Sequence, residues 1–568
     1  MGSFIFKSLS KKPLSLFINS TLLFLIFFYV ISNSLNQPKN TISGYIHLQN
    51  LHRSAEIRNC SGVHKFTDYE SKCLFVKSTS ACWGNGYVNY LEIFYCNCGK
   101  FPGIGYLVLL LWLVVLFYVL GNTTSEYFCP SVESLARVLK LSPTIAGTTL
   151  LPLGNGANDV FASIISFTRS GDGDVGLNSV LGGAIFISCF VVGVISITVS
   201  SRRIMVDERS FIRDVLFILL ALCCLIIIMI FGKISLWFAI CFLSVYFLYI
   251  ATVSVMHMYY TKKEMVVNPP VLDELGAIGT PLLGYVDEES SDKVVQLEIR
   301  PSMSNTRDQN CYYLTLLLYV LELPIYLPRR LTIPAVSEEK WSKPFAVCSA
   351  LLSPIFLAAL WNLQVGKTSL AIYVTATLVG IILGISAIFS TRNSSPPRKC
   401  LLLWLVGGFL MSIAWTYITA EELVSLLVAF GNILGISPSF LGLTVLAWGN
   451  SVGDLISNLT MAIKGGSDGA QIAVSGCYAG PLFNTLVGLG LSLFLASWSE
   501  YPSSYVIPRD SDLYETIGFF IGGLLWALVV LPKRNMQLDK CLGIGLLAIY
   551  LCFLFTRLVK GLGLLKID

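Results

Sequence analysis

The sequence predicts an all-α polytopic membrane protein: two inverted five-helix repeats plus an N-terminal anchor and two extra spans. Four observations predict it. The 568 residues are 54% hydrophobic and only 13% charged, with a mean hydropathy of +0.71, where soluble domains carry roughly 25% charge. Many uncharged stretches reach the ~20 residues that take a helix across a ~30 Å hydrocarbon layer. No two-residue alternation marks a barrel, so helices must satisfy the backbone. Finally, one polar motif occurs twice, once in each half of the chain.

Taken in order, the apolar run 13–33 stands behind Lys7, Lys11 and Lys12. It suits both a cleaved signal peptide and a retained anchor; we read 1–34 as an anchor or signal segment, with the anchor preferred. Residues 35–103 are polar and hold Cys60, Cys73, Cys82, Cys96 and Cys98 beside the Asn59-Cys60-Ser61 sequon. That cluster predicts an oxidising, extracytosolic setting with one or two disulfides and at least one thiol left over. Zinc on Cys96 and Cys98 is a weaker alternative. Most of the other cysteines lie in apolar segments and pack as small hydrophobes.

The first membrane repeat, 104–257, carries spans near 105–121, 143–167, 177–200, 215–232 and 234–256. A cytosolic linker, 258–342, follows, with Asn268-Pro269-Pro270 and the acidic run Asp287-Glu288-Glu289, a composition that does not build a core. Its apolar run 312–327 is broken by Glu322 and Pro324 and is expected to be an interfacial helix. Two additional spans near 344–361 and 368–390 occupy 343–399. The second membrane repeat, 400–568, carries spans near 401–420, 438–463, 470–497, 516–532 and 541–556.

A cytosolic N-terminus places Arg202, Arg203, Arg209, Arg213, Arg398, Lys399, Lys533 and Arg534 on the cytosolic side, as the positive-inside rule requires. Loops 168–175 and 421–436 then fall outside and are poor in Lys and Arg. Arg557, Lys560 and Lys566 stand against the rule. The net charge of +5 is therefore a topology signal, with the lipid bilayer as partner. No nucleic-acid module is present, and the oligomeric state is unknown from sequence.

The repeat carries the chemistry. The stretch from Pro143, PTIAGTTLLPLGNGANDVFAS, and that from Pro438, PSFLGLTVLAWGNSVGDLISN, share Pro, Gly, Thr, Leu, Gly, Asn and Asp in register. Ser142 and Ser437 precede them, an N-cap ahead of the favoured first helical residue. Gly183, Phe186 and Gly193 match Gly480, Phe483 and Gly490. Two spans and the linker separate the copies, so the second begins from the opposite side. Inverted repeats are a secondary-transporter architecture with a site near the midplane.

Asn155 and Asp159 are four residues apart, about 40° around one helix face, and Ser163 continues the row. Asn450, Asp454 and Asn458 repeat it, and Thr149 and Thr444 add hydroxyl or carbonyl oxygens. These are oxygen donors without His or Cys, the set that hard cations prefer. Gly154, Gly156, Gly449 and Gly453 allow local unwinding. Two facing carboxylates are neutralised by one Ca²⁺, two monovalent ions or two protons, and mutual exclusion of these occupants is the physical basis of exchange. The ions are cargo; no cofactor is expected. A lone intramembrane Asp can be structural and an Asn can be interhelical glue, but a duplicated buried carboxylate is costly without a use. Asn484 falls opposite Ile187, so any polar role there is asymmetric.

The hexads Gly154-Asn155-Gly156-Ala157-Asn158-Asp159 and Gly449-Asn450-Ser451-Val452-Gly453-Asp454 resemble the sodium/calcium exchanger superfamily, whose repeats carry a Gly-Ser/Thr-Ser-x-Pro-Glu/Asp core. Together with Cys129-Pro130-Ser131 they look like the cation/calcium exchanger branch, which holds plant exchangers and the mitochondrial sodium/calcium/lithium exchanger. Asn158 and Gly453 replace the kinking proline, Asp159 stands where Glu is usual, and Asn484 stands where potassium-dependent relatives have Asp. The resemblance implies H⁺- or Na⁺-coupled antiport of Ca²⁺, K⁺, Na⁺ or Mn²⁺ by alternating access, in a vacuolar, plasma or other endomembrane. A cation channel on the same fold and an intramembrane aspartyl protease are the competing readings; a protease dyad requires neither the Asn rows nor the inverted duplication. No other enzymatic chemistry is expected.

Overall fold

The computed structural model describes residues 60–79, 82, 86–138, 143–168, 173–202, 204–267, 324–335, 341–365, 370–391, 401–464, 466–507 and 511–561. The anchor at 13–33, Asn59, Ser142 and the linker over 268–323 lie outside them, as does most of the expected interfacial helix. The described residues 324–332 are helical.

A cap comes first: a 3₁₀ turn (Cys60–Lys65), helix α1 (Tyr69–Ser78), and a helical turn (Tyr90–Glu92) running into a π-turn (Ile93–Asn97). Asp68 caps α1 by accepting from the amides of Glu70 and Ser71. Disulfides Cys60–Cys82 and Cys73–Cys96 staple the cap, while Cys98 is a buried free thiol. Two bridges and one leftover thiol match the odd count in the sequence. Cys96 is consumed by its bridge, which removes the zinc alternative.

Helix α2 (Pro102–Thr123) passes through a π-turn (Thr124–Phe128) into α3 (Cys129–Val138). The motif helix α4 (Pro143–Thr168) follows, then α5 (Gly173–Ile185), a π-turn (Phe186–Val191) and α6 (Val192–Val199). Helices α7 (Glu208–Phe231) and α8 (Leu236–Val267) complete the first repeat. Asp207 accepts from the Ser210 amide to start α7, and Gly232, at φ 64°, ends it. The additional spans are α9 (Lys343–Val365) and α10 (Leu370–Ser390). The second repeat is α11 (Leu401–Leu434), α12 (Pro438–Leu441), a π-turn (Gly442–Leu446), α13 (Ala447–Lys464), α14 (Gly466–Phe483), a π-turn (Asn484–Leu489), α15 (Gly490–Glu500), α16 (Ser511–Lys533) and α17 (Lys540–Gly561). Ser437 caps α12 by accepting from the Phe440 amide, with Pro438 at the first helical position, as the sequence predicts. Among the described residues ten helical segments are long and apolar enough to cross a membrane. The two motif segments, 143–168 and 438–464, are not among the ten, because their ligand-type residues replace apolar ones.

Two expected spans are too short. The first helix continues past 121 to Val138, and α11 continues past 420 to Leu434, so 421–436 is helix rather than loop over most of its length. Glu126, Glu421 and Glu422 lower the local hydropathy and mimic a helix end. Thr124 and Glu126 fall at the same repeat offset as Thr419 and Glu421, so the duplication extends into α2–α3 and α11.

The chain divides into two compact units. The smaller comprises residues 110–119 and the described part of Ile278–Met411. In it α9 and α10 pack tightly, a Cβ at Gly380 meeting the Leu351 carbonyl, the small-residue contact that membrane helices use. The larger unit holds the cap, the rest of both repeats and their shared core. Its most enclosed segments are Gly173–Arg202, 83% buried, and Gly469–Glu500, 67% buried. Leu181, Ile185 and Ile195 and, from the other repeat, Leu482, Leu486 and Leu493 belong to one cluster there.

Two sets of contacts join positions that the expected topology assigns to the same side. For the side expected to be external, β1 (Lys233–Ile234) pairs antiparallel with β2 (Tyr505–Val506). For the side expected to be cytosolic, Met205 bridges to Gln537 and the Arg202 guanidinium donates to the Ile463 carbonyl at 2.6 Å. Of the cations that stand against the positive-inside rule, Lys566 lies outside the described residues. Arg557, near the end of α17, is buried and pairs with Asp512 at 2.8 Å and Glu515 at 3.8 Å, and Lys560 pairs with the same two acids. Those cations are neutralised within the protein and carry no topological weight.

Candidate cation site

The helices loosen where the site forms. Pro152 lies inside α4 and cannot donate to the carbonyl four residues earlier. At the corresponding place in the second repeat the chain takes the π-turn Gly442–Leu446. Matching π-turns at Phe186–Val191 and Asn484–Leu489 interrupt the following helices; such bulges cluster at functional sites.

Asp159 on α4 is buried, and both of its carboxylate oxygens are held from the other repeat. The Asn450 amide on α13 donates to Oδ1 at 2.9 Å, and the Asn484 amide donates to Oδ2 at 2.7 Å. Each amide turns its nitrogen to the carboxylate and so leaves its own oxygen buried without a hydrogen-bond donor: Asn450 Oδ1, Asn484 Oδ1 and the neighbouring Ser451 Oγ are all unpartnered. Buried acceptors are almost always satisfied, so an acceptor-rich cluster around a carboxylate is a place prepared for a cation. Glycines make the approach close enough. A Cβ at Gly156 would overlap Asn484 Oδ1, and one at Gly183 would lie 3.3 Å from Ser451 Oγ and 3.6 Å from Asp159 Oδ2.

Asp454 on α13 is only half-buried. Its carboxylate accepts no hydrogen bond among the described residues and lies within electrostatic reach of Asp159. A Cβ at Gly453 or Gly480 would meet open space, so the site is lopsided: packed around Asp159, open beside Asp454. Asn484 explains part of this, since its repeat counterpart Ile187 has no amide to offer. Helices α2–α3 reach the site through two hydrogen bonds, Thr124 Oγ1 to Asn158 Oδ1 at 2.6 Å and Cys129 Sγ to the Gly154 carbonyl at 3.4 Å.

The structure thus brings together Asp159, Asn450 and, electrostatically, Asp454. Of the other expected residues, Ser163, Thr444 and Asn458 sit further along their helices or turn elsewhere. Ser163 is buried and accepts from Ser492 Oγ at 2.9 Å, and Thr444 donates its hydroxyl to the Phe440 carbonyl at 2.7 Å. Asn458 faces Gly476 of α14, where a Cβ would lie 3.5 Å from its Oδ1. The Asn155 and Thr149 side chains lie outside the described side chains. Ser451 is the residue that the sequence pattern does not mark. Asn484 stands out in the sequence as an asymmetric amide opposite Ile187, but the repeat symmetry gives no reason to count it among the ligands. Among the described residues no three His, Cys, Asp or Glu side chains converge on a metal position, so two carboxylates and neutral oxygens make up the donor set.

Two inverted halves that meet at one acidic, oxygen-lined point inside a multi-pass helical bundle define a membrane ion transporter of the antiporter class. The chain belongs to the sodium/calcium exchanger family: the family model described as sodium/calcium exchanger protein matches residues 109–255 and 404–559. It is 51% identical to cation/calcium exchanger 1 of Arabidopsis thaliana, over the whole of both chains. It is 47% identical to cation/calcium exchanger 2 of the same plant, covering 89% of this chain and 92% of that one. With the mitochondrial sodium/calcium exchanger protein of Rattus norvegicus the identity is 30%, over 87% of this chain and 89% of the relative.

Proposed function

We propose that this chain is a secondary active antiporter that moves Ca²⁺, or the monovalent cations K⁺ and Na⁺, or Mn²⁺, against H⁺ or Na⁺ by alternating access. The observation that carries the reading is the Asp159 carboxylate held across the repeat boundary by Asn450 and Asn484, with three unpartnered oxygens beside it and Asp454 in range. Two carboxylates balance one divalent ion or two monovalent ions, so cargo and counter-ion exclude each other. Neutral Asn484 supplies no third charge, which favours a single Ca²⁺ over Ca²⁺ bound together with K⁺. Carboxylate and amide oxygens suit hard cations, and the names of the relatives point the same way. The disulfide-stapled cap suits a lumenal or external face, consistent with a vacuolar, plasma or other endomembrane.

Reconstitution into vesicles with imposed gradients tests this. Wild-type protein is expected to take up Ca²⁺ or a monovalent cation only when H⁺ or Na⁺ moves the other way, with Asp159→Asn and Asp454→Asn each abolishing flux. Flux without a counter-ion would indicate a channel. Undiminished flux in both variants would place transport elsewhere in the molecule.

A further inference from the structure

We infer that the stapled cap is a strap joining the outer ends of α2 and α11, the first helices of the two repeats, so that they change position as one unit, with Glu422 as its latch. The inference rests on the exchanger reading and adds a coupling element to it.

The latch is a carboxylate that, among the described residues, takes its hydrogen bonds from the cap. Glu422 on α11 is buried and accepts from the Tyr87 backbone amide and the Tyr90 hydroxyl, both in the cap. At the next turn the cap backbone lies directly on α11, where a Cβ at Gly86 would sit 2.7 Å from Ser425 Oγ. Further along, His64 Nε2 donates to the Asn432 carbonyl at 2.6 Å, at the C-terminal end of α11, where carbonyls lack partners and positive or donor groups are favoured. The cap therefore grips α11 from Glu422 to Asn432, about 15 Å of helix.

Its other end is built into α2. The chain runs from the cap straight into Pro102, and a Cβ at Gly105 would lie 2.7 Å from the Phe94 ring and 3.1 Å from Cys98 Cβ. Phe94 also packs edge-on against Tyr106, with centroids 4.9 Å apart. The two disulfides tie the segment bearing His64, through Cys60, to Cys82, and tie α1, through Cys73, to Cys96 beside Phe94. Both anchored helices lead to the site. Thr124 and Cys129 hold Asn158 and Gly154 next to Asp159. Helix α11 ends in a tight turn, with Gly435 at φ 68° and the Ile436 amide donating to the Gly431 carbonyl at 3.0 Å, and the motif segment starts at Pro438. Glu422 has Tyr127 as its repeat counterpart, so the latch was not inherited from the duplication.

Two sets of variants in reconstituted vesicles test the strap. In Gly86→Cys with Ser425→Cys, oxidised to a cross-link, the cap is fixed to α11, and exchange is expected to continue at the rate of the uncross-linked single variants. In Glu422→Gln with Tyr90→Phe the latch is weakened; exchange is expected to fall about tenfold, the scale of one charge-assisted hydrogen bond, while detergent melting stays near wild type. A cross-link that stops exchange would make the cap a lid that must release, and a latch variant with wild-type exchange would make it passive; either overturns the strap. Hydrogen–deuterium exchange reads the coupling without transport. Added Ca²⁺ should alter protection at 102–109 and 422–434 together in the wild type and at only one of them in the latch variant; independent responses in the wild type would refute the strap even where flux is absent.

Discussion

Substituting Asp for Asn484 probes the charge count of the site with almost no change of shape. The Asn484 nitrogen lies 2.7 Å from Asp159 Oδ2, so an aspartate there puts a second carboxylate oxygen near that distance. At an effective dielectric of about 20, two unit charges that close repel by about 5–6 kcal/mol, roughly four decades in an equilibrium constant. The variant cannot keep both carboxylates charged and bare, and it must hold an extra proton or monovalent cation. Ca²⁺ flux in vesicles should therefore become dependent on K⁺ or Na⁺, rising about tenfold on their addition, where the wild type changes less than about twofold. Detergent melting should show the same dependence on added KCl. If Asn484→Asp keeps wild-type ion dependence and wild-type flux, Asn484 lies outside the field of the site and the hydrogen-bonded arrangement around Asp159 is not the working one.

Three other outcomes follow from the geometry. Gly156→Ala drives a methyl into Asn484 Oδ1 and should cut exchange at least about tenfold, whereas Gly522→Ala, which meets open space in α16, should keep full flux and gain up to about 1 kcal/mol of helix stability. Arg557→Met removes the buried cation that pairs with Asp512 and Glu515; truncating a buried pair costs about 3–5 kcal/mol, and partial exposure of Asp512 sets the expected loss in detergent melting at or below the lower bound. Burial raises the Cys98 thiol above its ordinary range, so at pH 8 it stays a neutral thiol, and maleimide labelling under non-reducing conditions should appear only after the cap unfolds. Fast labelling of folded protein would contradict the packing of Phe94 and Gly105 around it.

Much of this was legible in the chain because duplication writes the same physics twice. Asp159 and Asp454 could be paired by offset alone, and the same-side contacts Lys233 with Val506 and Arg202 with Ile463 follow the charge-derived topology. What escaped is what breaks the symmetry. Asn484 has an aliphatic counterpart, so a search for matched polar pairs discards it, although it holds one oxygen of the central carboxylate. Glu421 and Glu422 read as the end of a helix because hydropathy counts a buried acid as exposed; the partner of Glu422 is a tyrosine more than three hundred residues upstream. No local pattern encodes a contact of that separation.

The cross-repeat grip on Asp159 bears on how the molecule is made. When the ribosome has delivered only the first repeat to the bilayer, neither Asn450 nor Asn484 has yet been synthesised, and the carboxylate enters lipid without the amides that later hold it. An acidic residue at the centre of an inserting helix costs about 2.5–3.5 kcal/mol on translocon scales. Helix α4 should therefore linger at the insertion machinery, or hold a proton, until the second repeat arrives. A chain truncated after α8 would be caught in that half-assembled condition, a substrate for quality control rather than a smaller working protein.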